Sequence, residues 1–157
     1  MYKCKNRGGC YGQRTTYRNM MENKQDTASM LKMIADYMEN GFLDNIVDMF
    51  KHDKSLYPLI GDLIGDERSR VRIGTVALVE TLKSEDGNNV TSAIAGIAEF
   101  LKTPNATIRG DAAYLLGIIG HRDALPFLKN NTNDENELVR ETVEEAIEEI
   151  KEGDSGV

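Results

Sequence analysis

Two cysteines, Cys4 and Cys10, and two histidines, His52 and His121, are the side chains of this sequence best suited to hold a metal or act as nucleophiles. Five residues separate the cysteines, and no histidine occurs before His52. A structural zinc site takes four such ligands, so the cysteine pair falls two short. His52 precedes Asp53 and His121 lies between Gly120 and Arg122, each in a polar turn. The body of the chain has no cysteine and no serine–histidine pair at a suggestive spacing, so nucleophilic catalysis lacks its parts. Carboxylates abound, but Glu141, Glu144, Glu145, Glu148, Glu149 and Glu152 read as the solvated face of one helix. The expectation is a chain with no catalytic set, no metal site and no cofactor.

The residue type that recurs with a period is arginine. Arg72 and Arg109 are 37 residues apart, and Arg109 and Arg140 are 31 apart. Superposing the three stretches on these arginines aligns Thr75, Ala112 and Val143, then Leu78, Leu115 and Ala146. It also aligns Val79, Leu116 and Ile147, then Leu82, Ile119 and Ile150. Each copy is a helix with its apolar residues at i, i+3, i+4 and i+7, a buried stripe. Three copies of one helix predict a stacked repeat. An arginine in the first turn of each can reach the preceding turn's carboxylate or carbonyls and tie neighbours together. An anion-binding row is the functional alternative.

The elements that position these helices follow from period and punctuation. Asp26 or Thr27 caps a helix to about Asn40, with Leu31, Ile34, Ala35 and Met38 on one face, and Gly41 stops it. A second helix runs from Phe42 to about Lys51, and a third from Leu56 to Ile64 with Pro58 in its first turn. Between the repeated helices lie a helix from about Asn89 to Lys102 and a shorter one from Asp123 to Lys129. Ser84–Asn89, SEDGNN, is turn chemistry and reads as a lengthened loop. The last helix replaces Ala113, Tyr114, Gly117 and Ile118 of the middle copy with Glu144, Glu145, Glu148 and Glu149, which makes it a cap with a wet outer face.

Charge sorts the partners. Residues 1–19 hold five basic side chains and no acid, which leaves 14 bases against 26 acids in the remainder, a net −12. Such a body repels nucleic acid, whose binding needs phosphates neutralised. No run of 18 apolar residues is present, so no membrane span is expected, and the absence of an apolar leader makes the cytoplasm the default location. Residues 1–25 read as a disordered basic tail, with Met20 or Met21 as an alternative start; 26–152 form the repeat domain and 153–157 a frayed C-terminus.

The repeated stretches resemble the HEAT-like repeats of the phycobilisome-lyase type. That unit has an acidic turn, a Val-Arg pair, an Ala/Leu helix ending in L-G-x-I-G, and a short helix with L-x-x-L. Asp66 before Val71-Arg72 and Asp134 before Val139-Arg140 match the turn and pair. Leu116-Gly117-Ile118-Ile119-Gly120, then Ala124-Leu125-Pro126-Phe127-Leu128, match the remainder. In the middle turn Thr103 stands where the aspartate would be. The resemblance implies an all-α fold, an α-α superhelix of about three and a half helical hairpins. Arg72, Arg109, Arg140, Asp66 and Asp134 are then structural contacts between repeats. The family includes lyases and di-iron hydroxylases; the His-Glu pairs of the latter are missing here, and no bilin-site motif can be assigned.

What remains is surface. The function expected is that of a non-catalytic scaffold or adaptor, binding another protein with a basic or mixed-charge segment through the concave side lined by the second helices. The outward positions there are Tyr57, Gly61, Asp62, Ser92, Gly96, Glu99, Phe127 and Asn130. Tyr57 and Phe127 are the candidate anchors. Gly61 and Gly96 either admit a partner's backbone or mark tight packing between helices. The alternative function is a small lyase or accessory protein of tetrapyrrole or metallocofactor assembly. Self-association through Met30, Met33 and Met38 of the first helix is a further expectation.

Overall fold

The computed structural model describes residues 10–154, and their side chains from Asn23 onward. Regular structure among these residues is entirely helical. The chain divides between Met33 and Ile34 into two compact units. In the first, helix α1 (Cys10–Glu39) begins well before Asp26, so residues 10–25 are helical where the sequence lacks an apolar period. The segment holds no proline and several good helix formers, among them Gln13, Arg14, Met20, Met21 and Glu22. Period reports burial, not helicity, so it was silent there. Residues 1–9, with Cys4, lie outside the described residues.

The second unit opens with the last turns of α1. Gly41 ends them in a left-handed conformation, φ +83°, which a residue without a Cβ adopts at no steric cost. Then come α2 (Leu43–His52), a 3₁₀ turn (Lys54–Leu59) running into α3 (Ile60–Ile64), and α4 (Ser69–Val90). Next are α5 (Ile94–Glu99), flanked by 3₁₀ turns at Thr91–Ala93 and Phe100–Lys102, and α6 (Ala106–Ile119). A 3₁₀ turn (Arg122–Ala124) leads into α7 (Leu125–Lys129), and α8 (Glu137–Asp154) closes the array. The helices lie in two rows. In one, α2 packs on α4, α4 on α6 and α6 on α8; in the other, α3 packs on α5, and α5 reaches the turn that starts α7. The rows meet where α3 contacts α4, α5 contacts α6 and α7 contacts α8.

The aligned columns are the core. Val71, Ile108 and Val139 open it, and every residue of the four deeper columns is likewise at most 8% exposed. The outer ends differ as the alignment requires. Ala113 is fully buried, and a Cβ on Gly117 would meet Ala146 at 3.0 Å, so α6 takes α8 at close range. Glu144, Glu145, Glu148 and Glu149 are exposed.

Two expected boundaries move. Ser84–Asn89 is not a loop: α4 continues through it, broken only at Asp86 (φ −147°, ψ 39°). The Asp86 carboxylate accepts from Lys54, from the Tyr57 hydroxyl and, at 2.8 Å, from Asn89 Nδ2. It thereby anchors the break to the turn before α3 and to the Asn89 side chain that follows. At the other end, Gly153 and Asp154 are helical rather than frayed, because Arg122 Nη2 donates to Asp154 at 2.6 Å and holds the last turn. Residues 155–157 lie outside the described residues.

The arginines tie the repeats, reaching the preceding turn's carbonyls as expected but not its carboxylate. In each copy Nη1 turns back onto two carbonyls five and six residues earlier. Arg72 donates to Asp66 and Glu67 at 3.0 Å each, and Arg109 to Thr103 at 3.0 Å and Pro104 at 3.2 Å. Arg140 donates to Asp134 at 2.7 Å and Glu135 at 3.3 Å. Because the grip is on the main chain, Thr103 serves as well as an aspartate. The carboxylate partner comes from the following repeat, not the preceding turn. Arg72 Nε donates to Asp111 at 3.1 Å, and Arg109 donates to Asp134 through Nε at 2.8 Å and Nη2 at 2.9 Å. The Asp66 side chain serves Arg68, which also reaches Asp36 at 2.9 Å.

Three outcomes follow from this packing. Leu116→Ala should lower stability by roughly 2–5 kcal/mol, since the side chain is wholly enclosed between repeats; a urea titration at constant m-value measures it. Arg109→Ala strands a carboxylate and two turn carbonyls in a pair whose side chains are each 7% exposed. It should cost roughly 3–5 kcal/mol, and Arg140→Ala, whose hydrogen bonds go to two turn carbonyls, distinctly less in the same titration. The third outcome concerns acid. The Arg109 bonds hold the Asp134 carboxyl below its ordinary value of 3.8. Ionised Asp134 therefore stabilises the fold above that pH, and the contribution fades as pH falls through the lower folded value. Asp134→Asn should melt earlier at neutral pH and lose less stability than the parent between about pH 4 and pH 2.

Candidate interaction surface

The row of short helices was the expected binding face, and its eight residues separate into two groups. Tyr57 is not an outward anchor. Its ring is fully buried, packed edge-on against Phe50 with centroids 5.6 Å apart, and its hydroxyl donates to Asp86. Burial, then the Asp86 contact, pushes its phenol far above the ordinary value. Lys54, Tyr57 and Asn89 together hold the Asp86 carboxyl down at about 2.

Gly61 and Gly96 are likewise packing residues. A Cβ on Gly61 would sit 2.4 Å from the Gly96 carbonyl, and one on Gly96 would sit 2.7 Å from the Pro58 oxygen. Gly65 faces the Phe100 ring in the same way, at 2.1 Å. No Cβ fits at Gly61 or Gly96, so the backbone that approaches these two glycines is the chain's own.

The other five positions remain accessible. Asp62, Ser92, Glu99 and Asn130 are exposed and Phe127 is half-buried. Ser92 Oγ donates to the Asn89 carbonyl at 2.7 Å, and Asn131 Nδ2 to the Phe127 carbonyl at 2.8 Å, which fixes the turns around both. Partial burial of its carboxyl pushes Asp62 above its ordinary value. The accessible members of the row thus carry two carboxylates and one partly covered ring.

The histidines stand apart. His52 ends α2 and its Nδ1 donates to the Asp48 carbonyl at 2.7 Å; His121 Nδ1 accepts from the Asp123 amide at 3.3 Å. Both act as local caps. Among the described residues no three His, Cys, Asp or Glu side chains gather as a metal would need, and no helix is long and apolar enough to cross a membrane. Met38, expected to take part in self-association, is buried in the second unit with Sδ 3.6 Å from Thr75 Oγ1, while Met33 is exposed.

The long helices carry a feature that the sequence reading missed. Shallow hollows of about 170 Å³ between α4 and α6 and about 200 Å³ between α6 and α8 open at their N-terminal halves. Ile73 and Leu138, 70% and 71% exposed, stand at their rims. A signal was present: in the alignment on the arginines both are large aliphatics at positions the other copies fill with small or polar residues.

Compared with known proteins, the chain matches no curated protein. Residues 58–148 match the family of HEAT repeats, without distinction of the phycobilisome-lyase type. The matched span runs from the turn before α3 into α8, with all three arginines and every residue of the buried columns but Ile150. HEAT repeats generally mediate protein–protein interaction. On its fold, its arginine-pinned helix pairs and this match, the chain belongs to the HEAT-repeat family.

Proposed function

We propose that this protein is a non-catalytic interaction module that holds a basic or mixed-charge segment of another protein along the row of short helices α3, α5 and α7. The observation that carries the reading is the pairing of exposed carboxylates, Asp62 on α3 and Glu99 on α5, with the half-open Phe127 ring on α7. These lie on successive repeats of a family that binds proteins. The body's net −12 adds a long-range field that draws basic segments and repels acidic ones. Tyr57, Gly61 and Gly96 support the surface from beneath. Ser92 and Asn130 supply hydrogen-bonding groups at its edge.

Capture from native lysate on the full-length chain tests this reading. A protein partner should be retained in stoichiometric amount, and Glu99→Lys combined with Phe127→Ala should reduce retention about tenfold or more. Retention unchanged by the double variant would remove the proposed face. A purified protein that is coloured or metal-bearing is the result that would move the assignment to a small lyase or cofactor-assembly protein.

A further inference from the structure

The two hollows on the long helices are one site occurring twice. Ser69 and Ile73 of α4 with Thr107 and Asp111 of α6 wall the first. Advanced by one repeat on the arginine register, these positions become Ala106 and Gly110 of α6 with Leu138 and Thr142 of α8, which wall the second. A site that repeats with the helices suits a ligand that repeats likewise. Packed helices lie about 8–10 Å apart, and a peptide extended as polyproline II advances about 3.1 Å per residue with three residues per turn. Side chains three residues apart on such a segment share one face about 9 Å apart, and where it crosses the long helices they reach both hollows.

The walls say which side chains. Asp111 has one nitrogen on it, Arg72 Nε at 3.1 Å to Oδ2, and its side chain stays 35% exposed. Asp134, its counterpart in the next contact, is held by Arg109 at both oxygens while the charge of Arg140 lies close by, and it is 7% exposed. The chain thus surrounds Asp134 with two arginines and Asp111 with one. The Arg72 guanidinium is turned toward the carbonyls of Asp66 and Glu67, and the accessible part of the Asp111 carboxylate is left for a second cation. Tyr114, 47% exposed and one turn on from Asp111 along α6, offers that cation a ring, and Ile73 offers its stem an apolar wall. The second hollow carries no charge among its lining residues and is edged by Leu138, which suits an aliphatic side chain.

We infer that the N-terminal halves of α4, α6 and α8 form a second docking surface, for an extended peptide with an arginine three residues from a leucine-like residue. The arginine joins Arg72 on Asp111, and the aliphatic residue lies between Gly110 and Leu138. This surface is separate from the short-helix row and rests on that reading only in taking the protein to be an interaction module.

The test uses the full-length chain and fluorescein-labelled, end-blocked peptides containing Arg-Ser-Ser-Leu, with anisotropy as the readout. Saturable binding is expected, and it should be lost when glutamate replaces the arginine or serine the leucine. Asp111→Asn should weaken the arginine peptide about tenfold while leaving a norleucine-for-arginine peptide unchanged. Leu138→Lys, at an exposed position, should weaken both with an unaltered melting curve. Absence of saturation overturns the inference, and so does an Asp111→Asn effect equal on both peptides. The Glu99→Lys, Phe127→Ala double variant should bind the peptide normally. Loss of binding in that variant alone would place the peptide on the short helices, removing this surface and leaving the other reading intact.

Discussion

Each turn that leads into a long helix ends with two main-chain carbonyls that lie outside the helical ladder, and the more covered of the two would be costly to leave unpaired. One guanidinium, placed six residues on, takes both. The same geometry recurs at Arg72, Arg109 and Arg140. It sets where each long helix starts, and so which side chains enter the space between neighbours. The five buried columns are then a consequence, since helices that begin at the same height present the same stripe. Where a following repeat exists, the remaining nitrogens reach its carboxylate, Asp111 or Asp134. The contact is local in the chain on one side and long-range on the other. One residue type thereby fixes both the turn and the stacking.

The second row obeys a different constraint. Its helices are short and partly 3₁₀, and they approach until backbone meets backbone at Gly61 and Gly96. Tyr57 fills the adjacent space and is locked by Asp86 from the break in α4. Tight packing there leaves charged and polar groups, not large apolar ones, on the outer side. The long-helix row has the opposite character: a deep core, and aliphatic residues at the rims of shallow hollows. A single stack therefore offers two surfaces of unlike chemistry.

How much could be read beforehand depended on whether a residue's surroundings lay near it in the chain. The columns and the acidic closure of α8 were legible because apolar period and its interruption are local properties. The arginine was legible as a staple on the preceding turn, but its carboxylate partner in the following repeat was not, since nothing in a residue pattern shows which acid is brought alongside. SEDGNN looked like a loop because nothing nearby shows Lys54 and Tyr57 converging on Asp86 from an earlier turn. Residues 10–25 looked unstructured because their sequence shows no apolar period, although its helix propensity is ordinary.

By itself, then, the chain's order of residues determined the helical class, the repeat and its register, the closing cap and the acidic character of the body. Each follows from side-chain period, punctuation or net charge. Tertiary structure decided which turn atoms the arginines hold, that Tyr57 and two glycines are interior, and that Ile73 and Leu138 face outward over repeated hollows. Those depend on what is brought alongside from elsewhere in the chain, and proximity between distant residues is a property of the packed stack, not of any stretch within it.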